Sequence, residues 1–308
     1  MKKLLMIFVD GLGLGAHDII NNPLAGSATP YLSKLLEGGR LTEEWSGFHG
    51  ETLSLGSLDS TLGVPGLPQS ATGQTSLFTG ENAPQKLGYH LNGFPNAPLQ
   101  EMLRENNILG QLKQKGLGVS FLNAYRPSFF SKHLPRRLPS RYSCSTLMTY
   151  FAGAKFRTLQ DLQEGRAVYM DITNQLLRQM GYEVDSITPA EAAKRLVHLS
   201  QQYRFSLFEY FLTDIVGHQK DQEKASHIIS TLDQLIGHII QQINLQETLV
   251  LLTSDHGNLE ELNHGRHTRN PVPLLLAGDA QWRSIALKSV DSLLGIVSFI
   301  KSYFATEA

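Results

Sequence analysis

Four stretches of the chain, residues 4–9, 118–123, 207–212 and 248–253, are apolar without a period-two alternation. Strands covered on both faces need apolar residues at nearly every position, so these runs predict buried strands of a parallel sheet. Between the third and fourth runs, Ile228, Ile229, Leu232, Leu235, Ile236, Ile239, Ile240 and Ile243 recur at helical spacing. They form one wide apolar stripe and predict a long helix over 222–243. Upstream, Thr188-Pro189-Ala190-Glu191 sets a capping threonine before a proline and a glutamate, opening a helix to about residue 201. Alternating strands and helices predict an α/β fold: a mostly parallel central sheet with helices on both faces.

Residues 125–187 break this rhythm with prolines, arginines and aromatics. The expected organisation is a catalytic core of 1–124 and 188–308 with 125–187 as a small inserted cap. No internal repeat or low-complexity linker is visible, so the cap is expected to pack on the core rather than hang from it.

Composition narrows the function. The chain has 308 residues, 41% of them hydrophobic, enough for one large core with an insertion. Its 27 basic and 28 acidic residues leave a net charge of −1, so no global field favours nucleic acid or an anionic membrane. Met1-Lys2-Lys3 and the apolar run after it imitate a signal peptide, but the run is short and ends in Asp10-Gly11 with no small-residue cleavage site. A buried first strand is the expectation, and no apolar stretch is long enough to span a membrane. The single cysteine, Cys144, forms no internal disulfide and reads as buried filler, which points to a reducing, cytoplasmic setting.

In open parallel sheets, ligands bind beyond the carboxyl ends of the strands. Asp10 follows the first run directly, Asp214 follows the third with His218 one helical turn on, and Asp255-His256 follow the fourth, with His267 soon after. One such residue is more often a cap or a loop residue, but three carboxylates and three imidazoles at one edge suit two divalent ions of the Zn²⁺ or Mn²⁺ type. Two ions in one cleft suit phosphoryl displacement. A nucleophile is available in the segment from Gly66 to Gly80, where Ser70 is expected at a helix start whose amides favour an alkoxide and a phosphate. Ser70 as a simple helix cap, and Thr72 or Thr75 as the nucleophile, remain alternatives on spacing alone.

These motifs resemble those of the alkaline-phosphatase superfamily, and within it the metal-dependent branch of cofactor-independent phosphoglycerate mutase and phosphopentomutase. The resemblance rests on Val9-Asp10-Gly11, Asp214-Ile215-Val216-Gly217-His218, Asp255-His256-Gly257-Asn258 and His267-Thr268-Arg269-Asn270-Pro271-Val272-Pro273, in that order. The register of Leu67-Pro68 and Gly73 around Ser70 is similar to the mutases' nucleophile segment and selects Ser70. The resemblance implies one metal site from Asp214, His218 and His267, and a second from Asp10, Asp255 and His256 with Ser70 bridging toward it. It implies a two-metal phosphoryl-transfer enzyme working on a small phosphorylated substrate through a phosphoserine, mutase-like, with a phosphatase or phosphodiesterase as the alternative. A non-catalytic metal-binding protein is the reading from another class.

Two features depart from those mutases. Gln74 stands where they have histidine, and the expected cap is smaller than their inserted domains. Within the cap, Arg126, Arg136 and Arg137 are candidate grips for an anionic substrate, against the plainer reading of a solvated basic face. Gly11-Leu12-Gly13-Leu14-Gly15 does not fit a dinucleotide fingerprint; a tight turn beside Asp10 explains it better.

Overall fold

The computed structural model describes residues 1–133 and 141–305. Among them, seven strands form one sheet: β1 (Lys3–Val9), β2 (Phe48–His49), β3 (Leu53–Leu58), β4 (Val119–Phe121), β5 (Phe205–Tyr210), β6 (Thr248–Thr253) and β7 (Val272–Ala277), in the order β2-β3-β7-β6-β1-β5-β4. The parallel block β6-β1-β5-β4 is built from the four unbroken apolar runs. β5 begins and ends two residues earlier than the run suggested, because Leu212 already opens the helix Leu212–Gln219.

The sheet is mixed rather than mostly parallel. β7 runs antiparallel to β6, β3 to β7, and β2 to β3. The chain returns from β6 to β7 through a loop without a helix. A parallel neighbour needs a long crossover, usually helical, so this direct return lays β7 antiparallel. Neither β3 nor β7 reads as a strand in isolation: Pro273 cannot donate to a ladder, and Ser54, Gly56 and Ser57 dilute β3.

Helices cover both faces of the sheet. On β1, Leu5, Ile7 and Val9 join the layer formed by the helices Pro189–Ser200 and Gln222–Gln242, while Leu4, Met6 and Phe8 join the layer of Ser70–Thr79, Ile108–Gln114 and Gly295–Ala305. The second layer also takes in Leu147 and Met148 of the helix Cys144–Phe151. Leu162, Tyr169, Met170, Leu177 and Val184 instead gather around Ala124 in a small cluster of their own. The capping box is formed as expected, Thr188 accepting from the Glu191 amide and Glu191 from the Thr188 amide. Among the described residues, no helix is long and apolar enough to cross a membrane.

Candidate metal centre

Three adjacent strands, β6, β1 and β5, end side by side, and the loops beyond them interlock. The Asp10 amide donates to the Tyr210 carbonyl at 2.9 Å, and the Thr213 hydroxyl donates to the Asp10 carbonyl. The Leu12 amide donates to Ser254 Oγ at 2.9 Å. Gly11 takes φ +69°, and a Cβ there would fall 2.7 Å from the Asp214 Cβ; one on Gly13 would fall 2.2 Å from Glu260 Oε1. The glycines of this turn therefore permit close approach of the loops carrying Asp10, Asp214 and Glu260.

The six expected ligands converge as two groups. In the first, Asp214 Oδ1, His218 Nε2 and His267 Nε2 lie 3.1–3.5 Å from one another. Asp214 and His218 share one face of the helix Leu212–Gln219, four residues apart. In the second group, His256 Nε2 lies 3.3 Å from Asp10 Oδ1 and 3.5 Å from Asp255 Oδ2. His256 also stands within reach of Asp214 and His267, and its ring stacks on that of His267 at 3.8 Å, so the groups share a wall.

All three imidazoles are held from behind. Nδ1 of His218 contacts the Gly265 carbonyl at 2.9 Å, Nδ1 of His267 the Pro68 carbonyl at 2.9 Å, and Nδ1 of His256 the Gly257 carbonyl at 3.3 Å. A carbonyl accepts only, so each Nδ1 carries the hydrogen and donates. In the neutral ring that leaves the Nε2 lone pair facing the cluster, the arrangement a metal-binding histidine requires.

Ser70 is the first residue of the helix Ser70–Thr79, and its Oγ lies 2.9 Å from His256 Nε2. It is not the helix cap: Gln69 holds that position, and the Ser70 hydroxyl is engaged with the imidazole. Thr72 and Thr75 turn their hydroxyls to the backbone carbonyls of Gln69 and Ala71. Gln74 lies one turn along the helix. Its amide donates to Asp10 Oδ2 at 3.0 Å and to Asp255 Oδ2 at 3.1 Å, tying two carboxylates together.

The charges are strongly coupled. Burial and the neighbouring Asp255 charge push the Asp10 carboxyl well above the usual range. Burial opposes charge on His256, but Asp255 and Asp10 outweigh it and raise the imidazole to about 10. Burial likewise opposes charge on Asp214, yet the hydrogen bond from His267 and the charge of His256 hold its carboxyl well below the ordinary value. Asp10 Oδ1 is buried with no well-aligned hydrogen-bond donor, His256 Nε2 lying 3.3 Å away. Buried anionic oxygens are costly unless a cation or donors answer them. The orphaned oxygen, the crowded carboxylates and the aligned Nε2 atoms fit divalent ions, with oxygen and nitrogen donors and no thiolate.

The loops of the centre are bound together by Glu260, which motif reading passed over. Its carboxylate accepts from the amides of Gly13 (3.0 Å) and Asn258 (2.8 Å), from the Asn270 side chain (3.1 Å) and from the Thr268 hydroxyl. Asn258 in turn donates to Asp214 Oδ1 at 2.7 Å.

A cavity of about 630 Å³ opens over Ser70, Asp10, Asp214 and His218. Arg126 lines it and directs a guanidinium nitrogen to Met180 Sδ at 3.3 Å. Arg136 and Arg137 lie outside the described residues. Cys144 is buried, and burial pushes its thiol up to about 12, as suits filler rather than a nucleophile. Glu209 also lines the cavity, and its signal in the sequence is a lone carboxylate inside the otherwise uncharged strand Phe205–Tyr210.

Fold and site together define an α/β protein with paired carboxylate–imidazole groups at the carboxyl ends of its central strands. The model of the Metalloenzyme superfamily matches residues 2–308, and the chain belongs to that family, which is alkaline-phosphatase-like. Over 135 residues it is 29% identical to a protein of Thermococcus gammatolerans named 2,3-bisphosphoglycerate-independent phosphoglycerate mutase, a match covering 40% of this chain and 32% of that one. The chain thus spans about a third of the length of that curated relative. Among solved structures it resembles Leishmania mexicana phosphoglycerate mutase at low cobalt concentration (TM-score 0.56, 10% identity, 98% of this chain and 95% of that one). It also resembles a variant of the alkaline phosphatase of the Antarctic bacterium TAB5 with magnesium bound (TM-score 0.50, 11% identity, 98% and 97% covered). At these identities the structural likeness shows the fold.

Proposed function

We propose that this protein is a two-metal phosphoryl-transfer enzyme that takes a phosphoryl group from a small phosphate ester onto Ser70. The observation that carries this reading is the Ser70 hydroxyl, at a helix N-terminus, 2.9 Å from His256 Nε2 and facing the cavity. Asp214, His218 and His267 would hold one divalent ion; Asp10, Asp255 and His256 would hold the other, Zn²⁺ or Mn²⁺ by donor type. When bound, the ions supply Lewis-acid activation of the reacting oxygens.

The chain's own residues do the rest. The Ser70 and Ala71 amides at the helix start favour phosphate oxygens, the Thr72 amide being spent on the Leu91 carbonyl, and the helix start sets Ser70 Oγ beside His256. Ser70 Oγ gives up its proton as the Oγ–phosphorus bond forms, the phosphorus–ester oxygen bond breaks, and the departing alcohol oxygen takes up a proton. Residues 1–124 and 188–308 carry this chemistry, and 125–187 act as the cap over the cavity. The single buried thiol suits a cytoplasmic setting.

The fate of the phosphoserine sets the activity. Its return to another hydroxyl of the substrate makes a mutase, as the named relative suggests. Capture by water makes a phosphatase, favoured by the exposure of His218, which lines the cavity. To test the reading, protein loaded with Mn²⁺ or Zn²⁺ is incubated with sugar phosphates and glycerate phosphates, quenched and mapped by mass spectrometry. Phosphate on Ser70, absent from metal-loaded Ser70→Ala, is expected. An adduct that persists in Ser70→Ala overturns the nucleophile, and two bound ions with no turnover and no adduct support the non-catalytic reading.

A further inference from the structure

One wall of the cavity carries a chain of hydroxyls ending on a buried carboxyl. Tyr125 OH lies 2.9 Å from Thr146 Oγ1, Thr146 Oγ1 lies 2.9 Å from Ser143 Oγ, and Ser143 Oγ lies 3.0 Å from Ser145 Oγ. Ser145 Oγ donates to Glu209 Oε2 at 2.7 Å. Glu209 is rigidly held: its amide donates to Asn123 Oδ1 at 2.8 Å, and its carbonyl accepts from Asn123 Nδ2 at 2.7 Å. Phe121, Phe129 and Phe211 also line the cavity.

We propose that Glu209 is a specificity-determining residue that hydrogen-bonds a hydroxyl on the non-phosphate part of the substrate, selecting phosphate esters with an uncharged, hydroxyl-bearing end. The inference rests on the phosphoryl-transfer reading above and names the substrate class for that site. Three observations support it. Glu209 lines the cavity, and the one hydrogen bond of its carboxyl among the described residues comes from a neutral serine. Both polar atoms of the Asn123 side chain are spent on the Glu209 backbone, so that neighbouring amide does not compete for the carboxyl. A substrate carboxylate placed here would meet a carboxyl and hydroxyls; the basic residues of the described lining are Arg126, which turns to Met180, and His218 of the metal centre. A hydroxyl both donates and accepts, so it matches this wall in either protonation state of Glu209.

Glycerol phosphate and phosphoglycerate differ at this end, one carrying a hydroxymethyl group and the other a carboxylate. Binding of each to Mn²⁺-loaded Ser70→Ala by calorimetry reads the preference without turnover. Glycerol phosphate is expected to bind at least about tenfold tighter, in the range that a buried polar partner confers. Adding Glu209→Gln, which removes the charge but keeps the shape, should shrink that ratio several-fold; adding Glu209→Leu should weaken glycerol phosphate about tenfold more than it weakens p-nitrophenyl phosphate, which has no hydroxyl. A preference for phosphoglycerate, or a ratio unmoved by Glu209→Gln, overturns the proposal. Loss of bound Mn²⁺ in both Glu209 variants overturns it too, by making Glu209 part of the metal centre. Discrimination in binding with no phosphoserine in the wild type sinks the phosphoryl-transfer reading while leaving the role of Glu209 standing.

Discussion

The Ser70 hydroxyl lies 2.9 Å from Nε2 of His256, although 186 residues separate them in the chain. The contact joins the start of a helix beyond β3 to the loop beyond β6. If Ser70 is the nucleophile, Ser70→Ala lowers kcat by about a thousandfold or more, because no neighbouring group can form the covalent bond. Steady-state kinetics on the metal-loaded variant, with metal content measured alongside, checks this; kcat within tenfold of wild type at full metal content counts against it.

Gln74 ties Asp10 to Asp255 with one amide. Gln74→Leu removes both donors and leaves two buried carboxylates facing each other, so the metal-free protein is expected to lose about 1–3 kcal/mol. A divalent ion answers the same oxygens, so Mn²⁺ should recover much of that loss. Thermal unfolding in chelator and in Mn²⁺ measures both. An equal loss in the two conditions would make Gln74 a packing residue only.

Glu260 holds Gly13, Asn258, Thr268 and Asn270 together without entering either ligand group. Glu260→Ala frees the loops that aim Asp10, Asp214 and His267. Residues supporting metal ligands typically contribute 10–100-fold in affinity, and a weakening of about that size is expected from a Mn²⁺ titration. Unchanged affinity would restrict Glu260 to fold stability.

Burial raises the Glu209 carboxyl from 4.5 to about 7, despite the hydrogen bond from Ser145. Between these values the folded chain keeps a proton that the unfolded chain has lost, so rising pH favours unfolding across that window and levels off above it. Glu209→Gln cannot ionise. Its stability should fall less than that of wild type between about pH 4.5 and 7, the gap growing to ~3 kcal/mol. Urea unfolding at several pH values reads the slope directly, and parallel curves for the two proteins would refute the assignment.

Removing metal should lower the midpoint of unfolding and expose the repulsion among Asp10, Asp255 and Asp214. Ligands that bind only the folded state stabilise by mass action, so the midpoint should rise with Mn²⁺ or Zn²⁺ concentration after chelation. Calorimetric scans across a metal series provide the check.

Much of this protein was legible along the chain because it depends on neighbours in sequence. Unbroken apolar runs marked β1, β4, β5 and β6, the isoleucine stripe marked Gln222–Gln242, and Thr188 with Glu191 marked a helix start. Asp10, Asp214 and Asp255 could be placed near one edge because each follows such a run closely. β3 and β7 were not legible, since Gly56 and Pro273 interrupt the local pattern and only pairing across the sheet makes them strands. Tertiary structure also decided that the sheet is mixed, that His256 stands between the two ligand groups, that Gln74 bridges two carboxylates, and that Glu209 and Glu260 belong to the site. The physical reason is one of range: period and capping are settled within a few residues, whereas the meeting of lone pairs a few ångströms apart is settled by strand order and register between segments far apart in the chain.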